Sequence, residues 1–243
     1  MKFMRWIVIL SLTAAVSCAA NRAIEAHGLS AGSFADDGRL LRKFTAQSAT
    51  GPFTSPVVKI GTVEFYGKDS ESIASAVLDW REAKYVRSEE AIVGDGIVQF
   101  RTEKVKVSGR GFRCELEVGR LELKSEVKLS SDEFRMSGRE ATVDFDAKGS
   151  KKDEALRTIE MMGDIVMERV ATAKASFERA ECSFARFVAR ENKVYLKSPL
   201  AVWRNGVRST IEVASGFIEI DLGEQRPNKA PEPTTTAVTP RAP

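Results

Sequence analysis

Leu121–Leu129 reads LELKSEVKL, and 73 residues on, Val194–Val202 reads VYLKSPLAV. The two align without a gap and share a Leu-Lys-Ser centre, Leu123-Lys124-Ser125 and Leu196-Lys197-Ser198. In the first copy Leu121, Leu123, Val127 and Leu129 alternate with Glu122, Lys124, Glu126 and Lys128. A period of two sends the apolar set to one face of a sheet and the charged set to the other. One strand written twice points to a repeated unit, and the rest of the chain extends it. A Gly or Ser, one intervening residue and an aliphatic recur at Gly61-Thr62-Val63, Gly96-Ile97-Val98, Ser125-Glu126-Val127, Gly163-Asp164-Ile165 and Ser198-Pro199-Leu200. The aliphatic positions are 35, 29, 38 and 35 residues apart. Ala83-Lys84-Tyr85, Gly111-Phe112 and the run from Ala175 to Phe177 lie upstream of several of these. The spacing predicts units of two or more strands, each stacked on the next to bury its apolar face.

Further strands are expected in VVKIGTVEFYG, EAIVGDGIVQF, EKVKVSGRGFRCELEV, REATVDFDA and GVRSTIEVASGFIEIDL. All are rich in Val, Ile, Phe and Thr and are set off by Gly or charged turns. Residues 151–191 have a helix-like content of Ala, Glu, Arg and Met, and a short helix near 153–162 is one reading. Alternation through Ala171, Ala173, Ala175 and Phe177, together with the repeat spacing, favours strands there.

Composition is that of a folded domain: 43% apolar and 29% charged over 243 residues. The first residues, MKFMRWIVILSLTAAVSC, have a basic start, a short apolar run and small residues, the layout of a secretory signal peptide over residues 1–18. Ala15-Val16-Ser17-Cys18 is similar to a lipobox, which makes Cys18 the candidate lipidation site; ordinary cleavage after Ala19 or Ala20 is the alternative. Cleavage that removes Lys2 and Arg5 lowers the 37 basic residues to 35, against 34 acidic, so no charge excess points to nucleic acid. Residues 19–30 read as a linker, and the Pro- and Thr-rich residues 224–243 as a disordered tail. Cys114 and Cys182 both fall in expected strands. They are a candidate disulfide in an oxidising compartment, or two buried thiols.

The repeats, once laid out, resemble the LptC/LptA (OstA-like) family of periplasmic lipopolysaccharide-export proteins. Asp37-Gly38-Arg39-Leu40 with Phe44 to Ala49 resembles the opening hairpin of that family, and Val57 to Gly67 its next strand. Ala83-Lys84-Tyr85 through Gly96-Ile97-Val98 and Val107 to Phe112 resemble its following unit, and Arg169 to Arg204 one further unit of the LptA kind. The likeness spans Gly28 to Leu222. It implies an all-β fold, a twisted antiparallel β-jellyroll or β-taco, with an LptC-like part over 31–150 and LptA-like units continuing over 151–223. It further implies a non-enzymatic protein that holds the acyl chains of lipid A in a β-groove. Such a protein joins other Lpt-type proteins edge to edge in the periplasm of a Gram-negative-type envelope, here with an N-terminal lipid anchor in the membrane. Family members of the LptC kind usually carry a membrane-spanning helix, whereas this N-terminus reads as cleaved and lipidated, and the Pro-rich tail at the other end is a further departure.

No catalytic constellation, cofactor motif or metal-ligand spacing stands out. His27 is the only histidine. Asp144 and Asp146 share a strand face, a pattern better suited to a polar strand end than to a carboxylate pair. An acyl-chain site needs only an apolar concave face. The inward positions of the repeat supply it: Val63, Val98, Leu121, Leu123, Val127, Ile165, Leu196 and Leu200, with Phe112 and Phe177. The same alternation would also serve a closed β core that fills itself and carries no lipid, in a structural or interaction protein of the envelope. Pro199 lacks a ladder donor and is expected near a sheet edge.

Overall fold

The computed structural model describes residues 6–7, 23–67, 73–148, 155–170, 178–214 and 216–222. Cys18, Phe177 and the expected tail lie outside them. The described residues form one antiparallel sheet of sixteen strands: β1 (Trp6–Ile7), β2 (Ala23–Phe34), β3 (Leu40–Pro52), β4 (Val57–Tyr66), β5 (Ala74–Val86), β6 (Ala91–Thr102), β7 (Val105–Glu115), β8 (Arg120–Ser131), β9 (Phe134–Gly138), β10 (Glu140–Phe145), β11 (Leu156–Arg169), β12 (Arg179–Val188), β13 (Lys193–Lys197), β14 (Leu200–Arg204), β15 (Val207–Ile211) and β16 (Phe217–Asp221). The order is β1 to β8 in sequence, then β10, β11, β12, β13 and β16. One turn of 3-10 helix, Arg87–Glu89, joins β5 to β6.

Long strands bend in the middle, and the bends line up. β2 turns at Gly28 (φ +63°), β4 at Ile60 (φ +47°), β7 at Gly111 (φ +68°), β8 at Glu126 (φ +54°) and β11 at Gly163 and Asp164 (φ +76° and +49°). β6 slips register between Gly94 and Ile97. Left-handed residues of this kind in a strand make bulges, which bend it and increase its twist. From β8 onward the crease opens into a fork. The first half of β8 pairs β10 and its second half β9. β11 does the same, and β12 pairs β13 with one half and β14 with the other.

The crease divides the sheet into two walls. Wall I holds residues 48–52, 57–59, 82–86, 91–94, 112–115, 120–123, 140–145, 156–162, 184–188, 193–197 and 217–221. Wall II holds residues 40–46, 61–66, 74–80, 97–102, 105–110, 127–131, 134–138, 165–169, 179–182, 200–204 and 207–211. The repeated Gly/Ser-x-aliphatic triplets sit on this crease, so the repeat in the sequence is the corner, and the aliphatic begins the second wall. The twin segments are two versions of one rung. Leu121–Leu129 is a continuous strand bent at Glu126, whereas Val194–Val202 breaks at Ser198-Pro199 into β13 in wall I and β14 in wall II.

Two corners show why the sequence bends there. A Cβ on Gly61 would lie 2.1 Å from the Trp80 ring, so the indole crosses the crease only because nothing projects from residue 61. At Gly163 the backbone is left-handed and a Cβ would meet Arg139 Nε at 2.5 Å.

One expectation on the chain's organisation needs correction, and one alternative reading falls away. Residues 19–30 are not a linker throughout, because β2 begins at Ala23 and pairs along β3. Its short polar and small residues hid the strand, whose outer edge leaves most of it half-exposed. Nor is there a helix over the described part of 153–162: Leu156–Arg169 is a strand, with Leu156, Ile159, Met161, Ile165 and Met167 all buried. Helix-forming composition yields there to the ladders with β10, β9 and β12 on its two sides.

Candidate functional site: the cleft between the walls

Nine of the ten expected inward residues are among the described ones, and the fold brings them together. Leu121, Leu123, Phe112 and Leu196 face inward from wall I; Val63, Val98, Val127, Ile165 and Leu200 face inward from wall II. Each is at most 3% exposed, within one continuous apolar cluster. The interior is therefore filled by its own side chains. Aromatic rings close the gap: Phe145 of wall I packs on Phe65 at 4.8 Å and Phe100 at 5.0 Å, both of wall II. Phe187 of wall I meets Phe134 of wall II at 5.6 Å. Rings at these separations interlock edge to face or tilted and contribute about 0.5–1.5 kcal/mol per pair beyond burial. None of these five contact aromatics stood out in the sequence, where alternation marks a residue as inward without saying which residue it meets.

Along the mouth the two walls meet through side chains. A cleft of about 430 Å³ opens there between the wall II turns at residues 102–105 and 131–134 and the wall I residues 187–192. Its floor is apolar, with Val105, Phe134, Leu156, Phe187 and Leu222, and its rim polar, with Glu103, Lys104, Asp132, Glu133 and Arg190. Glu133 of wall II lies within hydrogen-bonding reach of Asn192 across the mouth. Burial pushes the Glu133 carboxyl up from its ordinary value, against the opposing pull of Arg169 and Asn192. At the β2 end a second tie crosses: Arg42, buried in wall II, reaches Glu90 of wall I at 3.8 Å and also hydrogen-bonds Ser33. Burial draws the Arg42 pKa down, with Glu90 and Glu117 opposing.

Backbone bonds at the turns stay within one wall. Leu116 N–H donates to Glu90, Ala189 to Arg157 and Leu222 to Asn192 in wall I; Val170 donates to Glu133 in wall II. Among the described residues, no backbone hydrogen bond spans the mouth. Parting the walls would therefore break side-chain contacts and leave every ladder intact.

Comparison with known proteins adds a similarity of shape. No family model matches the chain, and no curated protein does. Among solved structures the fold is similar to LptH, the LptA-homologous periplasmic component of the lipopolysaccharide transport device of Pseudomonas aeruginosa. The TM-score is 0.40 at 15% identity, over 56% of this chain and 89% of that one.

The remaining sequence candidates resolve plainly. Cys114 and Cys182 are free thiols, on β7 and β12, with β8, β10 and β11 between them in the sheet. Cys114 is fully buried, which pushes its pKa up to about 12, and the Cys182 thiol donates to the Phe184 carbonyl at 3.2 Å. Asp144 is bound by Arg120 at 2.9 Å, and Asp146 takes the Lys148 N–H and lies 3.5 Å from Arg157, so each carboxylate is held by its neighbours. His27 is exposed on β2, 3.6 Å from Glu25. Of the two tryptophans on wall II, Trp80 is core, whereas Trp203 on β14 lies under Arg179 and Arg208 near the sheet edge. Among the described residues, no group of three His, Cys, Asp or Glu side chains could hold a metal ion, and no helix is long and apolar enough to cross a membrane.

Proposed function

We propose that this chain is a non-enzymatic, periplasmic carrier in lipopolysaccharide export that takes acyl chains between its two walls. The observation that carries the reading is the mouth: two continuous apolar walls share a crease and are held shut elsewhere by side chains alone. Acyl chains entering there would replace wall-to-wall contacts with wall-to-lipid contacts at about 0.8 kcal/mol per buried methylene. Edge strands β15 and β16, and β2 before its pairing with β1 at Gly32 and Ser33, offer unpaired backbone for joining similar proteins. A lipid on Cys18 would keep the protein at a membrane.

The filled interior favours a second reading, an envelope interaction protein with a permanent β core. A photo-crosslinking residue at Val127 or Leu123, in cells with labelled lipopolysaccharide, separates the two. Adducts at these buried positions support the carrier. Their absence there and at Val98, Ile165 and Leu196 favours the closed core.

A further inference from the structure

The outer face of wall II carries a charge pattern that acyl-chain binding leaves unused. Cross-strand registers set Gln99, Ser108, Lys128 and Ser137 in one row over β6, β7, β8 and β9. The next row runs Arg101, Lys106, Ser130, Arg135 and, on β11, Glu168. Lys106 and Arg135 thus flank Ser130 directly on either side, and Lys128, two residues back along β8, is diagonal to both. Opposed residues on adjacent strands lie about 5 Å apart and diagonal ones about 7–8 Å. Three exposed cations therefore ring one half-buried hydroxyl.

Among the described residues, their charges are not answered. Arg101 pairs with Asp79 at 3.2 Å. Among the described residues, no carboxylate comes within 4.0 Å of the Lys106, Lys128 or Arg135 nitrogens, although Glu168 is opposite Arg135 in register. Like charges crowded on one sheet face are unfavourable without a counter-ion. The trough above them holds about 530 Å³ and is open to solvent.

We propose that this triangle over Ser130 binds the phosphate of a lipid headgroup. A phosphate carries the charge and the acceptor oxygens to bridge several cations at once. Exposure decides its source. Solvated pairs to a single free anion are weak, whereas a bilayer presents phosphates at high local concentration and holds basic residues additively. The site is independent of the interior, so its failure would leave the carrier reading standing.

The test uses the full chain and compares partition onto vesicles of phosphatidic acid in phosphatidylcholine with partition onto phosphatidylcholine alone. The ratio cancels the contribution of the apolar N-terminal run. The wild type is expected to prefer the anionic vesicles, and K106Q/K128Q/R135Q to lose about a hundredfold of that preference, from about fivefold per cation. K59Q/K84Q/K124Q, with the same change of charge elsewhere on the surface, should keep it. Equal loss in both triple variants, or no preference in the wild type, would overturn the proposal. So would release of the protein from vesicles by submillimolar inorganic pyrophosphate, which would mark a site for soluble anions.

Discussion

Phe145→Ala tests whether the two walls truly meet. Phe145 is fully buried on β10 of wall I, and its ring is wedged between Phe65 on β4 and Phe100 on β6, both of wall II. Those strands are far from β10 in the sheet order, so the contact exists only because the sheet is folded at its crease. Truncating a fully buried Phe removes its transfer free energy and leaves a cavity, about 3–5 kcal/mol together. Two lost ring contacts place this site in the upper half of that range, about 4 kcal/mol. In a domain of this size each kilocalorie lowers Tm by about 2–4 °C, so a fall of about 8–16 °C is expected. Urea unfolding followed by circular dichroism gives the free energy directly, with unchanged m-value as the check that the fold persists. Met162→Ala, at a position 45% exposed on the adjacent strand, should stay within about 0.5 kcal/mol. A loss below about 1 kcal/mol for Phe145→Ala would refute the reasoning, since a ring lining a water-filled groove has little to lose.

Gly61→Ala should destabilise by about 1–3 kcal/mol, because the new methyl would enter the Trp80 ring. Pairing it with Trp80→Leu should cost less than the two changes summed, as a double-mutant cycle on the same assay would reveal. Glu133→Gln probes the mouth through pH. Since the folded-state pKa of Glu133 is raised, the carboxylate form opposes closure. Wild-type stability should therefore fall as pH rises from the ordinary Glu value through the raised one, and the variant should be the more stable above that window and equal below it. The Cys114 thiol, with its pKa pushed up to about 12 in the core, should resist iodoacetamide at neutral pH until urea unfolds the chain, as mass spectrometry of the Cys114 peptide would read.

Much of this architecture could be read from residues 121–129 and their echo at 194–202. Alternation gave the strand and its inward face, and the recurring Gly/Ser-x-aliphatic triplet marked each unit. Its physical meaning as a crease needed the backbone: Glu126 and Asp164 adopt left-handed angles that nothing in their side chains announces. The nine described inward residues were legible because burial in a sheet follows a period of two. Whether they line an open groove was not, because that depends on pairs such as Phe65 with Phe145, eighty residues apart and on opposite walls. The cross-mouth pairs Glu133 with Asn192 and Arg42 with Glu90 were hidden for the same reason. β2 was missed because its small and polar residues match an edge strand poorly, while its pairing with β3 supplies the order.

The central claim is that the mouth opens along its side-chain seam to admit acyl chains. Spin labels on Lys104→Cys in the wall II rim and Arg190→Cys in the wall I rim face each other across the cleft, both at exposed positions. Pulsed electron-electron resonance with and without purified lipopolysaccharide measures their separation. A distribution that shifts to longer distance on adding lipopolysaccharide, and returns on its removal, is the expected result. An unchanged distance with lipopolysaccharide bound would contradict the account.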